Sequence, residues 1–210
     1  MRRSTSGVAP LLVAVVVVLA VFSHQSNASL NAIISRLYVG DQHAAGDLHM
    51  LQTAYNISAI LNVAWDLDIR YPSAAYVGDF NDFNENLNFQ YNKVGLVDGT
   101  GNTKGALIAA VNVLHQLLTP RSLLSKDANT YPQPVRNVLV HCHSGQSRSV
   151  TVAALYLFHE FPSQFRTYTD ALNYVKARRG LSNNLSVPEP NLTRLAQQVA
   201  SDIYFLSPFE

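Results

Sequence analysis

One stretch constrains this chain more than any other: Val138-Leu-Val-His-Cys-His-Ser-Gly-Gln-Ser-Arg-Ser-Val150. Val138 to Val140 is a short apolar run, the pattern of a buried strand. It stops at His141-Cys142, and an apolar helical pattern begins at Ser149. Between them His143, Ser144, Gly145, Gln146 and Ser147 form a small polar loop, with Gly145 free to take a positive φ. Strand, tight loop and helix N-terminus in that order aim successive backbone N–H groups into one concavity, where the helix dipole also favours negative charge. A dianionic phosphate fits such a cradle.

Two side chains make the cradle a reaction site. Cys142 sits at its mouth, where N–H groups and the helix end favour an exposed thiolate over the thiol. Arg148 closes the loop, and its planar fork can hold two phosphate oxygens at once. A thiolate beside a clamped phosphate is what covalent phosphoryl transfer needs. Ser149 is placed to donate a hydrogen bond to the sulfur when the thiophosphate is hydrolysed. A lone Cys is ordinarily a buried core thiol, but apolar burial does not account for a polar loop that ends in Arg.

The spacing Cys-x5-Arg, with His141 before it and Ser149 after it, resembles the signature of cysteine-dependent protein phosphatases. The fuller form His141-Cys-x-Ser-Gly-x-Ser-Arg-Ser149 is similar to that of the dual-specificity subfamily. Leu37-Tyr-Val-Gly-Asp…Ala-Ile-Leu-Asn-Val63 resembles the opening of those domains, and Thr169 to Arg179 resembles one of their helices, with Gly180 where members often carry Pro. The resemblance runs from about Ala32 to Phe205. It implies a phosphotyrosine-phosphatase-like fold, phosphotyrosine and phosphoserine/threonine substrates in proteins, and a general acid on a loop at a strand end. Asp98, after Tyr91-Asn-Lys-Val-Gly-Leu-Val97 and before Gly-Thr-Gly, matches that acid. An Asp before Gly is also a common turn former, but phosphate-ester cleavage needs an acid, and the rivals Asp79 and Asp82 lie within a long irregular loop.

Residues 1–30 are read apart from the fold. Arg2 and Arg3 precede an apolar run, Val8 to Phe22, and Ser26 and Ala28 are small residues before a cut at Ser29. This is the pattern of a secretory signal peptide, with an uncleaved anchor second, because the run is shorter than the usual span of about 20 residues. The expectation is a secreted or secretory-pathway protein, or one anchored with its domain on the lumenal side. Four sequons, at Asn27, Asn56, Asn184 and Asn191, suit that compartment, although Asn191 is also placed to cap a helix. A reactive thiolate is at risk of oxidation there. An internal start at Met50 offers no alternative, since it would remove the first strand and much of the first helix.

The remainder, 31–210, alternates strands and helices. Ala32 to Val39 carries one or two short strands, Gln42 to Tyr55 a helix, Ile57 to Val63 an inner strand and Phe89 to Val97 another. Helices follow at Asn102 to Leu118, Ser149 to Phe161, Thr169 to Arg179 and Pro188 to Phe205. Trp65 to Asn88 is an irregular segment with no catalytic assignment, and Thr119 to Pro134 is an insertion that stretches the gap from Asp98 to Cys142 to 44 residues. Arg178 and Arg179 sit near a helix C-terminus, where cations are favoured without any catalytic role. Asn62 is read as structural.

With 48% hydrophobic residues, 210 positions build one ordinary core. A net charge of +1 argues against a nucleic-acid partner, and a single Cys excludes an internal disulfide. The expected architecture is α/β, a mostly parallel central sheet with helices on both faces and the cradle at a strand's C-terminal end. The expected chemistry is metal- and cofactor-free phosphomonoester hydrolysis. Cys142 is the nucleophile, Arg148 and the loop from His143 to Ser147 hold phosphate, Asp98 is acid then base, Ser149 assists the sulfur, and His141 orders the loop and tunes the thiolate. Gln146 stands where phosphoinositide-directed relatives tend to be basic, so a phosphorylated protein is the expected partner and a lipid or carbohydrate phosphate the alternative. A non-catalytic phosphate-binding module would have lost Cys142, Arg148 or Asp98, and all three are present. A membrane is a partner only if the leader stays attached.

Overall fold

The computed structural model describes residues 29–69, 89–119 and 137–203. The apolar leader with Asn27, the segment holding Asp79 and Asp82, and the insertion beyond Thr119 lie outside the described residues. Five strands form one sheet: β1 (Leu30–Ile34), β2 (Leu37–Gly40), β3 (Ile57–Ala64), β4 (Gln90–Leu96) and β5 (Asn137–His141). Their order is β1-β2-β5-β3-β4, with β1 antiparallel to β2 and every other pairing parallel. Ser29 and Leu30, read with the leader on sequence grounds, belong to the fold: Leu30 opens β1, and the Ser29 N–H donates to Asp41 Oδ2 at 2.8 Å. A cut ahead of Ser29 would leave β1 whole.

β5 is central because Val138, Leu139 and Val140 are buried on both faces, as an inner parallel strand requires. Val138 and Val140 join the larger core, while Leu139 points the other way, toward Ala45, Leu51, Ile57 and Ile60. Helices α1 (Gln42–Gly46) and α2 (Leu48–Tyr55) supply that smaller layer. On the opposite face lie α3 (Lys104–Leu118), α4 (Arg148–Glu160), α5 (Tyr168–Arg178) and α6 (Pro190–Ile203). The α/β expectation, a mostly parallel sheet with helices on both faces, is what the chain adopts.

Two sequence readings are corrected. The helix expected over Gln42 to Tyr55 is broken at Asp47, whose backbone (φ −96°, ψ 76°) leaves the helix and whose carboxylate accepts from the Met50 N–H at 2.9 Å. A short acid that can cap a new helix competes with continuing the old one. The last helix starts at Pro190, and its cap is not Asn191 but Glu189, which accepts from the Leu192 N–H at 2.9 Å. No helix of the described residues is long and apolar enough to cross a membrane.

Candidate active site

Parallel register gathers the site. Asn62 on β3 pairs with His141 on β5, and Ala64 on β3 with Leu96 on β4. The chain therefore leaves three neighbouring strands at one edge of the sheet, and Asp66, Asp98 and Cys142 follow within two residues of those pairs. This is the carboxyl edge where open α/β sheets bind ligands.

The loop from His143 to Ser147 is held from behind. The His143 carbonyl accepts from the Gln42 N–H at 2.9 Å, and the Gly145 carbonyl accepts from Arg179 Nε at 3.0 Å. In a planar trans peptide the following N–H points opposite to the carbonyl, so the N–H groups of Ser144 and Gln146 turn into the concavity. α4 starts at the loop's end, and its N-cap Ser147 makes no side-chain capping bond. Ser147 Oγ instead accepts from the Glu189 N–H at 3.1 Å. The open first turn of a 13-residue helix is left for an anion.

Gly145 has φ 66°, and a Cβ there would stand 2.6 Å from the Gly40 carbonyl oxygen and 2.6 Å from Arg179 Nη2. Gly145→Ala is expected to lower stability by about 2–4 kcal/mol, from left-handed strain plus overpacking. Urea unfolding beside tungstate binding checks this, with oxyanion affinity falling as the loop is pushed open. An unchanged unfolding midpoint would mean the loop is not so tightly backed.

Cys142 is 1% exposed and lies at the base of the cradle, not as an exposed thiol at its mouth. Its Sγ is 3.3 Å from Ser149 Oγ, the contact expected from the sequence. The correction follows from β5, which carries the residue into the core edge before the loop rises. His141 is fully buried, and burial lowers its pKa to about 4, so the ring is neutral at pH 7. Its Nδ1 pairs with the Cys142 carbonyl at 3.3 Å, which puts the ring proton on that nitrogen. Any tuning of the sulfur by His141 is therefore not that of a fixed cation.

Arg148 is 2% exposed. Its Nη1 donates to Asp66 Oδ1 at 2.7 Å and reaches the Leu96 carbonyl at 3.4 Å. Nη2 lies 3.7 Å from Asp98 Oδ2, and Nε, buried, has no hydrogen-bond partner among the described residues. A phosphate oxygen would satisfy that orphaned donor. Asp98 is 43% exposed on a loop pinned by Asn102, whose Oδ1 accepts from the Val97 N–H and whose Nδ2 donates to the Val97 and Gly99 carbonyls. His143 Nε2 stands 3.4 Å from Asp66 Oδ2, while Ser144 is exposed and Gln146 half-buried at the rim.

Two residues were missed on sequence grounds. Asp66 lies in the segment left without a role, yet it binds Arg148; the Arg148 hydrogen bond is the main cause holding its carboxyl below the usual range. Arg179, read as a helix-end cation, is buried behind the loop and also binds Asn31 Oδ1. Burial lowers its pKa, opposed by the charges of Asp41 and Cys142. No local pattern marks either residue, because both contacts are tertiary.

Solved structures share this fold. Human DUSP28 matches with 17% identity and a TM-score of 0.58, covering 83% of this chain and 95% of that one. A mouse putative dual specificity phosphatase complexed with zinc tungstate matches with 17% identity and a TM-score of 0.60, covering 90% and 98%. The Yvh1 phosphatase domain from Chaetomium thermophilum gives 20% identity and a TM-score of 0.60, covering 85% and 96%. No curated protein matches the chain significantly. The sequence family described as the dual specificity phosphatase catalytic domain matches residues 37–188, a span that includes the strand edge, both aspartates and the whole loop from Cys142 to Arg148, and the chain belongs to that family.

Proposed function

We propose that the protein hydrolyses phosphomonoesters on phosphorylated tyrosine and serine/threonine residues through a cysteinyl-phosphate. The carrying observation is the buried Arg148 Nε, without a partner among the described residues, on a loop that starts at the buried Cys142. In the first step the Cys142 sulfur forms a bond to phosphorus, the ester P–O bond breaks, and Asp98 gives its proton to the departing oxygen. In the second, water attacks phosphorus, Asp98 takes its proton, and the S–P bond breaks toward a thiolate stabilised by Ser149 Oγ–H at 3.3 Å. Arg148 and the loop N–H groups hold the equatorial oxygens, over which charge is spread in the transition state.

His143 is the only basic side chain from His143 to Ser147, and the carboxylates of Asp66 and Asp98 border Arg148. That charge balance favours singly phosphorylated groups over polyanionic head groups. A second reading, a lipid or carbohydrate phosphatase, draws on the apolar rim: Trp65 is 69% and Val97 41% exposed, each next in sequence to one of the two aspartates. One fold neighbour, PTPMT1, was solved in complex with PI(5)P. A secretory leader would bring lipids, glycans and secreted phosphoproteins within reach.

The test is hydrolysis of p-nitrophenyl phosphate by the full chain under reducing conditions, followed by phosphopeptides and phosphoinositides side by side. Failure of the reduced protein to turn over any of them would sink the proposal. Preference for phosphoinositides would replace the protein substrate with the lipid. Asp98→Asn separates the acid from the rest of the site: a loss of about a hundredfold is expected on phenyl phosphate, whose leaving group needs a proton. On p-nitrophenyl phosphate the loss should be well under that, and equal losses on both would remove Asp98 from the role.

A further inference from the structure

Asp66 stands in the turn after β3, outside the phosphate loop and outside the acid loop, on a piece of backbone fixed from both sides. Asn62, fully buried, accepts from the Ala64 N–H at 2.8 Å and donates to the Leu67 carbonyl at 2.8 Å and to Tyr91 Oη at 2.9 Å. The Trp65 N–H donates to the Leu96 carbonyl at 3.0 Å, and Lys93 pairs with Asp68 at 2.6 Å. Gly95 lets Trp65 approach β4 closely, since a Cβ there would stand 2.9 Å from the Trp65 ring and 3.0 Å from its Cα. The turn carrying Asp66 is thus built before any ligand arrives, as a positioning group requires.

A guanidinium is planar, and its Nε–H and Nη2–H form one edge while Nη1 points away from that edge. Here Nη1 is taken by protein acceptors, Asp66 Oδ1 at 2.7 Å and the Leu96 carbonyl at 3.4 Å. Nε, without a partner among the described residues, belongs to the other edge. The second Asp66 oxygen lies 3.4 Å from His143 Nε2, so one carboxylate spans the guanidinium and the first residue of the loop. We infer that Asp66 is a positioning residue: it anchors Nη1 and thereby presents the Nε–Nη2 edge of Arg148 to the phosphate. The inference rests on the reading that Arg148 holds the substrate's phosphate. Asp66 is not a second acid, because its bond to Arg148 keeps it ionised.

The test compares wild type, Asp66→Ala and Asp66→Glu as full-length proteins. It measures kcat and KM on p-nitrophenyl phosphate, the inhibition constant of tungstate, and the melting temperature. In Asp66→Ala, kcat/KM is expected to fall about 10- to 100-fold, the scale of a misplaced catalytic group, with tungstate weakened in step. The melting point should fall only modestly, since the Leu96 carbonyl at 3.4 Å and Asp98 at 3.7 Å remain beside the buried guanidinium. Asp66→Glu should recover part of the loss. Deleting a nearby negative charge would by itself strengthen anion binding, so the sign decides. Tungstate binding equal to or tighter than wild type in Asp66→Ala would overturn the inference while leaving the phosphatase reading intact. A wild type that neither turns over nor binds tungstate would overturn that reading itself, and the inference with it.

Discussion

Cys142→Ser is expected to cut turnover by about ten-thousand-fold or more, because a serine hydroxyl at that position has no base to ionise it and makes a poor nucleophile. His141 is not placed as that base: its Nδ1 faces the Cys142 carbonyl at 3.3 Å, and its Nε2 has no hydrogen-bond partner among the described residues, the Cys142 sulfur included. The fold should tolerate the change. Oxygen is smaller than sulfur, and Ser149 Oγ, 3.3 Å from the sulfur, offers the new hydroxyl a partner. Phosphopeptide or tungstate binding should therefore persist, since the loop N–H groups, the helix end and Arg148 are untouched. Steady-state hydrolysis together with calorimetric binding checks both halves. If wild type and variant bound phosphate equally and neither turned it over, the chain would be a binding module. If the variant kept more than about a hundredth of the activity, the nucleophile would have to be sought elsewhere.

Arg148→Lys should cost about a thousandfold in kcat/KM even though the charge is conserved, the scale seen when preorganised transition-state donors are removed. A lysine ends in one nitrogen and cannot form the two-point edge that Nε and Nη2 provide. It also cannot reach Asp66 and the phosphate together, so the 2.7 Å contact that holds the guanidinium would compete with substrate. Because Arg148 is 2% exposed, the shorter ammonium is left partly unpaired in the core edge, and the protein should also melt earlier. Paired measurements of kcat/KM, tungstate inhibition and melting temperature separate the two effects. Activity within tenfold of wild type would show that a point charge suffices at this position.

The loop from Cys142 to Arg148 was readable because it is local. Val138 to Val150 contains the strand, the turn and the helix start in one continuous run, and nearest-neighbour physics dictates each. The apolar triplet Val138 to Val140 announced a buried strand, and β5 is the middle of the sheet. Asp98 was found at a strand end, and the structure sets it 3.7 Å from Arg148. The break at Asp47 was not readable from periodicity, since Leu48, Leu51 and Tyr55 continue a helical spacing across a residue that caps a new helix.

The contiguous chemistry is written locally: a cysteine, an arginine and a following serine are carried on a strand–loop–helix unit, because those residues are joined by short covalent reach. How that unit is braced and aimed depends on contacts far apart in the chain. Arg148 and Asp66 lie 82 positions apart, and Arg179 reaches the Gly145 carbonyl from 34 positions away. No spacing rule encodes such pairs. They follow from β3 lying beside β5 in parallel register, which brings strand ends together, and from the packing of α5 against α4, which delivers a buried guanidinium behind the loop.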